Sequence, residues 1–155
     1  MKFLKRQIIY ARISLMFSIS KASNKEINEW GKQEWKKVNI ENYGYLVDET
    51  EKHFRFKAEE YGKLIGLAVG KLQLGVIYLS DIVVSNKLRG KGVGTLLMAE
   101  VEKYAKQEGA HMIWLVTGKG LGSNTFYKKT GFKILTEIPN FYLKKDFVIY
   151  IKELK

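Results

Sequence analysis

The stretch Leu88-Arg89-Gly90-Lys91-Gly92-Val93-Gly94-Thr95 decides the fold, because it joins a run built for a strand to a run built for a helix. Upstream, residues 75–84, Gly75-Val76-Ile77-Tyr78-Leu79-Ser80-Asp81-Ile82-Val83-Val84, are rich in β-branched and aromatic side chains and read as a buried strand. Downstream, Val93, Leu96, Leu97, Val101, Tyr104 and Ala105 recur at helical spacing through Gln107, and Gly109 serves as a carboxy-terminal cap. A helix amino terminus leaves backbone N–H groups unpaired and carries partial positive charge, so glycines there let an anion approach bare backbone. Strand, basic glycine turn and helix together predict a phosphate cradle.

Two nucleotide-binding motifs fail on detail. A P-loop places its lysine directly after the last glycine and before Ser or Thr, whereas Lys91 precedes Gly92. A dinucleotide fingerprint needs GxGxxG, and residues 90–95 read GxGxG with Thr95 in the sixth place. The turn also lies mid-chain, with no acidic residue at a second strand end about 20 residues later.

The pattern that fits resembles the acyl-coenzyme A loop of the GNAT superfamily of N-acetyltransferases: Arg or Gln, two residues, Gly, one residue, Gly or Ala. Arg89-Gly90-Lys91-Gly92-Val93-Gly94 fills every required position. A second family-like element, Asn, then an aromatic-Tyr pair, then Gly-Phe, follows in residues 123–132 as Asn124, Phe126-Tyr127 and Gly131-Phe132. The resemblance covers residues 53–155. It implies an α+β fold: a central, mostly antiparallel sheet flanked by helices, with one parallel strand pair that splays to admit the pantetheine arm. Here those strands end near Val84 and Val116.

The resemblance implies transfer of an acetyl group from acetyl-coenzyme A, as co-substrate, to an amine, by direct transfer in a ternary complex and without a metal. The attacking amine must lose a proton and the leaving thiolate must gain one. Tyr127 holds the family's tyrosine position and is the candidate acid, with structural packing of its short helix as the alternative. Asp81 is the candidate base, because a carboxylate on an apolar strand is costly unless solvated, paired or used; pairing with a Lys or Arg, or an ordered water as base, remain open. Alternation places Asp81 with Ile77, Leu79 and Val83 unless a bulge intervenes. Ile82, Val83 and Val84 would lie along the cofactor, and a backbone N–H of Val83 or Val84 would polarise the thioester carbonyl. Arg89, Lys91 and the N–H groups of Gly90, Gly92, Val93, Gly94 and Thr95 would hold the pyrophosphate, and Asn124 would hydrogen-bond the pantetheine.

The rest of the chain agrees. At 155 residues and 46% hydrophobic it suits a single domain over 1–155, with residues 1–11 as a possible extension, and Pro139 and the glycines mark turns. No repeat of about 20 to 50 residues is visible. Absence of cysteine excludes disulfides, thiolate zinc sites and a cysteine acyl-enzyme. His53 and His111 lack metal-ligand spacing and read as structural or surface residues. The basic start, Lys2, Lys5 and Arg6, is interrupted at Arg12 and lacks a cleavage site, and no run reaches about 18 apolar residues, so a cytoplasmic protein without a membrane span is expected.

Local patterns predict a strand over 13–19, a helix over 23–38 capped by Ser23 or Asn24, and a hairpin of 54–58 with 64–69. Further on they predict a strand at 112–116, a helix over 123–129, and strands at 132–136 and 147–151. By resemblance the acceptor cleft involves 24–38, the vicinity of Asp81 and the loop 140–146. Trp30 and Trp35 would line it or form core; Phe141, Tyr142 and Asp146 would contact the amine or form a homodimer seam. The 27 Lys and Arg against 16 Asp and Glu, a formal charge of +11, suit an anionic coenzyme and raise two further classes: a basic module for nucleic acid or an acidic partner, and a non-catalytic acyl-coenzyme A sensor. The lysines spread from Lys2 to Lys155 and no nucleic-acid motif is visible, so dedicated nucleic-acid binding is not expected; Tyr127 favours an enzyme over a sensor.

Overall fold

A computed structural model describes residues 17–155. The chain divides into two compact units, one ending at Val47 and the other spanning Asp48–Lys155. The strand expected over 13–19 lies mostly outside the described residues, and its described part, 17–19, belongs to no regular element. The extension expected at 1–11 is also outside them.

The first unit contributes helix α1, Asn24–Tyr43. Of the two expected caps, Ser23 is the one used: its side chain accepts from the Glu26 N–H while Glu26 reaches back to the Ser23 N–H, a reciprocal capping box. The helix runs past the expected end at Val38 and stops where Gly44 turns left-handed (φ 78°), its N–H donating to Ile40 O. Trp30 and Trp35 both stand exposed on this helix.

The second unit is a six-stranded sheet with two helices. In chain order it comprises β1 (Lys52–Glu60), β2 (Lys63–Gln73), β3 (Val76–Val84), α2 (Val93–Gln107), β4 (Met112–Gly118), α3 (Gly122–Lys129), β5 (Lys133–Ile138) and β6 (Phe147–Glu153). The strand order is β1-β2-β3-β4-β6-β5, and all neighbours are antiparallel except β3 and β4. This is the α+β arrangement that the sequence predicts. Both hairpins turn on two left-handed residues, Tyr61-Gly62 and Leu74-Gly75, which suits the twist of the flanking strands. Gly75 therefore belongs to a turn and not to the start of β3, where the strand propensity of its neighbours had put it.

The core lies on one face of the sheet. Leu97, Met98, Val101 and Ala105 form the buried stripe of α2, at the spacing of one helix face, and join Phe54, Ala68, Ile77, Leu79, Ile113, Leu115, Val148 and Tyr150 in one cluster. Burying one such side chain contributes about 1.5–3 kcal/mol, so this cluster is the main support of the unit.

Strand β3 is irregular in two places. The register against β2 pairs Gly70 with Leu79 but Val69 with Asp81, so Ser80 is an extra residue, a bulge whose hydroxyl donates to Val69 O at 2.9 Å. Gly70 opposite is obligatory, since a Cβ there would run into Tyr78 O and the Phe54 ring. The bulge corrects the expected facing of Asp81. Paired residues share a face, so Asp81 turns away from the core side of Ile77 and Leu79 and joins Val69 and Val83 on the other face, while Ile82 and Val84 turn toward the core. Secondly, β3 and β4 pair only over Val76–Tyr78 and Met112–Trp114. Beyond the Tyr78 and Trp114 rings, 4.5 Å apart, the strands part, leaving 79–84 and 115–118 without each other as partners.

Candidate active site

The parted end of β3 leads into the glycine turn. Ser85 N–H donates across to Ile65 O at 2.8 Å, and strand alternation then turns the N–H groups of Val84 and Ile82 away from β2, toward the gap. Of the two residues expected to polarise a carbonyl, Val84 has its N–H on the gap side, and Val83 faces β2. A short 3₁₀ turn, Asn86–Leu88, carries the chain to Arg89, whose Nε donates to Val84 O at 3.2 Å and folds the basic side chain back along the strand end.

Gly90 and Gly92 both adopt left-handed backbone (φ 76° and 89°), and Gly92 is the amino-terminal cap position of α2. Open space surrounds both, so glycine is needed there for its backbone and not for room. The first backbone bond of α2 runs from Leu96 N to Gly92 O at 3.1 Å, so the N–H groups of Val93, Gly94 and Thr95 precede the ladder, and among the described residues no side chain caps them. Three donors and the positive end of a 15-residue helix are thus offered to an anion.

These parts border one cavity of about 760 Å³. Ile82, Val83 and Val84 form one side, Leu88, Arg89, Gly90, Gly92, Gly94 and Thr95 the mouth, and Leu121, Gly122, Ser123, Phe126 and Tyr127 the opposite wall. Nine of the residues read from the sequence therefore meet here: Ile82, Val83, Val84, Arg89, Gly90, Gly92, Gly94, Thr95 and Tyr127. Asp81, Lys91, Val93 and Asn124 do not line it. Two wall residues that sequence reasoning missed, Ser123 and Phe126, carry a signal of their own, since they stand one turn before and beside Tyr127 at i and i+3 to its i+4.

Tyr127 is 7% exposed and packed among Phe126, Phe132 and Tyr150, with ring centroids 5.3, 5.8 and 5.6 Å away. Burial, and secondarily the negative charge of Asp81, push its phenol up to about 12 from the usual 10, so it holds its proton at every physiological pH. That electrostatic influence ties Asp81 to Tyr127 although Asp81 is exposed on the far face.

The Asn124 side chain is bonded within the chain: its Nδ2 donates to Gly118 O at 2.8 Å and to Leu121 O at 2.9 Å, and its Oδ1 accepts from the Tyr150 hydroxyl at 3.0 Å. Nor is Asp146 an unengaged carboxylate, because its Oδ1 caps Asn140 N–H at 3.1 Å. Phe141 and Tyr142 pack edge-on against Phe147, with centroids 5.7 and 5.2 Å away. Among the described residues no group of three His, Asp or Glu side chains is placed to hold a metal ion, and no helix is long and apolar enough to cross a membrane.

Comparison with known proteins points one way. Residues 17–132 match the model of the acetyltransferase (GNAT) family. Among solved structures, an acetyltransferase from Bacillus cereus ATCC 14579 superposes with a TM-score of 0.73 at 21% identity, covering 90% of this chain and 99% of that one. The ribosomal-protein-S18-alanine N-acetyltransferase of Escherichia coli gives 0.63 at 17% identity, covering 89% and 94%. A GNAT family acetyltransferase from Elizabethkingia anophelis with acetyl-CoA bound gives 0.60 at 23% identity, covering 64% and 75%. Curated proteins yield no significant match to the sequence.

Proposed function

The chain belongs to the acetyltransferase (GNAT) family and is an acyltransferase; from that premise we propose that it moves an acetyl group from acetyl-coenzyme A to a primary amine by direct transfer in a ternary complex. The observation that carries this reading is that a single cavity is bordered by the uncapped start of α2, the end of β3 that has no β4 partner and the buried phenol of Tyr127. Arg89 and the N–H groups of Gly94 and Thr95 bind the pyrophosphate at the mouth. Lys91 lies outside the lining and contributes field, helping an anionic coenzyme arrive. The pantetheine arm lies between β3 and β4, where the strands have no mutual bonds to lose.

The thioester carbonyl then accepts a hydrogen bond from the gap-facing N–H of Val84. Asp81, on the sheet face away from the core, takes a proton from the acceptor ammonium through an ordered water. The freed lone pair attacks the carbonyl carbon, and the C–S bond breaks as the tetrahedral intermediate collapses. Tyr127 gives its proton to the departing thiolate, the second proton on the acceptor nitrogen leaves to water as the neutral amide forms, and Tyr127 regains a proton from solvent after product release. A phenol held near 12 does not ionise prematurely and still carries its proton when the thiolate leaves.

Acetyl transfer is followed by release of free thiol with a panel of amines and peptides. Tyr127→Phe keeps the ring and removes only the proton, so kcat is expected to fall about 10²-fold or more with little change in the acetyl-coenzyme A KM. Unchanged turnover would remove Tyr127 from the acid role. Failure of every amine in the panel to release thiol, together with tight acetyl-coenzyme A binding, would instead favour a sensor.

A further inference from the structure

Tyr150 sits on β6, 1% exposed, and its hydroxyl needs a partner inside the core. It finds that partner in a side chain, Asn124 Oδ1, on a different element. Asn124 in turn spends both amide hydrogens on the joint between β4 and α3: one on the carbonyl of Gly118, the last residue of β4, and one on that of Leu121, the residue before α3. Asn124 N–H bonds Leu121 O as well, and Thr117 and Ser123 share a hydroxyl bond at 3.0 Å across the same joint. The joint is tight. A Cβ on Gly118 would come within 2.8 Å of Leu121 Cδ1, so a side chain there would make Leu121 shift.

This joint delivers Leu121, Gly122 and Ser123 to the cavity wall and begins the helix that carries Tyr127 one turn later. A donor to Oδ1 also polarises the amide and strengthens what Nδ2 gives. We infer that Tyr150 and Asn124 act as one positioning relay, in which β6 sets the far wall of the acetyl-coenzyme A cavity through the Gly118 and Leu121 carbonyls. The assignment of the cavity to acetyl-coenzyme A rests on the proposed acetyl transfer; the relay itself rests on the hydrogen bonds of Tyr150 and Asn124.

Tyr150→Phe tests it with minimal disturbance, since the ring stays and only the hydroxyl leaves. The full chain is compared as Tyr150→Phe, Asn124→Ala and the double variant, with Asn124→Asp standing in should the alanine fail to fold. Steady-state rates against acetyl-coenzyme A and against amine are read separately, alongside amide hydrogen exchange. Each single variant is expected to raise the acetyl-coenzyme A KM about tenfold while leaving the amine KM unchanged, and the double should be no worse than Asn124→Ala alone. Exchange at the Asn124 amide should quicken in Tyr150→Phe while α2 stays protected. An unchanged KM, or losses that multiply in the double, would overturn the relay. Should the wild type fail to bind acetyl-coenzyme A, the proposed function falls, and the exchange result alone decides the relay: unaltered exchange at Asn124 refutes it.

Discussion

The proton state of Tyr127 is set by its surroundings. The phenol is buried among rings and stays neutral; the Asp81 carboxylate stands on the open face of the sheet, and its charge further disfavours a phenolate. Removing that charge with Asp81→Asn is therefore expected to lower the Tyr127 pKa from about 12 without returning it to 10, because burial, the larger cause, remains. Phenolate absorbance against pH, taken as the difference from Tyr127→Phe, reads the shift, and an unmoved titration would separate Asp81 from the site. If Asp81 is the base, the rate deficit of the same variant narrows as pH rises and the amine deprotonates unaided. Residue identity made both candidates visible in the sequence. The side of the sheet that Asp81 occupies was not visible, because it depends on Ser80 being the extra residue in a pairing with β2.

Among the elements, the strand, glycine turn and helix around residues 88–95 form as the sequence predicts, since each step is local: β-branched residues, left-handed glycines, then an apolar stripe every three to four positions. Gly92 is where that local logic is most exposed to test. Its φ of 89° is costly for any residue with a Cβ, so Gly92→Ala should lose about 1–2 kcal/mol in denaturant unfolding and weaken acetyl-coenzyme A binding, since the donors that follow it would be re-aimed. Gly122→Ala, with ordinary φ and open space around its Cβ, should leave stability unchanged or raise it. Equal losses at the two positions would show that the left-handed turn is not the constraint. Element ends were less legible. Leu74 takes φ 53° as half of a hairpin turn, a conformation a leucine gives no sign of adopting, whereas Gly44 ending α1 is a signal the chain does carry.

For the molecule as a whole, the buried phenols predict an alkaline limit to stability. Tyr127 has a folded pKa above its unfolded one, so its contribution is complete below about pH 10 and is lost as pH rises through about 12; Tyr104 and Tyr150, raised chiefly by burial, act in the same sense. Denaturant unfolding at a series of pH values should therefore show a decline beginning near pH 10, smaller in Tyr127→Phe, and an identical decline in that variant would exclude Tyr127 as a source. By itself the sequence determined what short-range chemistry can encode: the α+β order of elements, the glycine-led start of α2 with no side-chain cap, and the family those motifs resemble. Only the tertiary structure decided that β3 and β4 part beyond Tyr78 and Trp114, that Asp81 faces away from the core, that Val84 and not Val83 presents its N–H to the gap, and that Asn124 is bound to Tyr150, Gly118 and Leu121. The reason is physical. Each of these depends on which partner a strand or side chain meets across the sheet, and such pairings join residues distant in sequence whose local patterns carry no mark of one another.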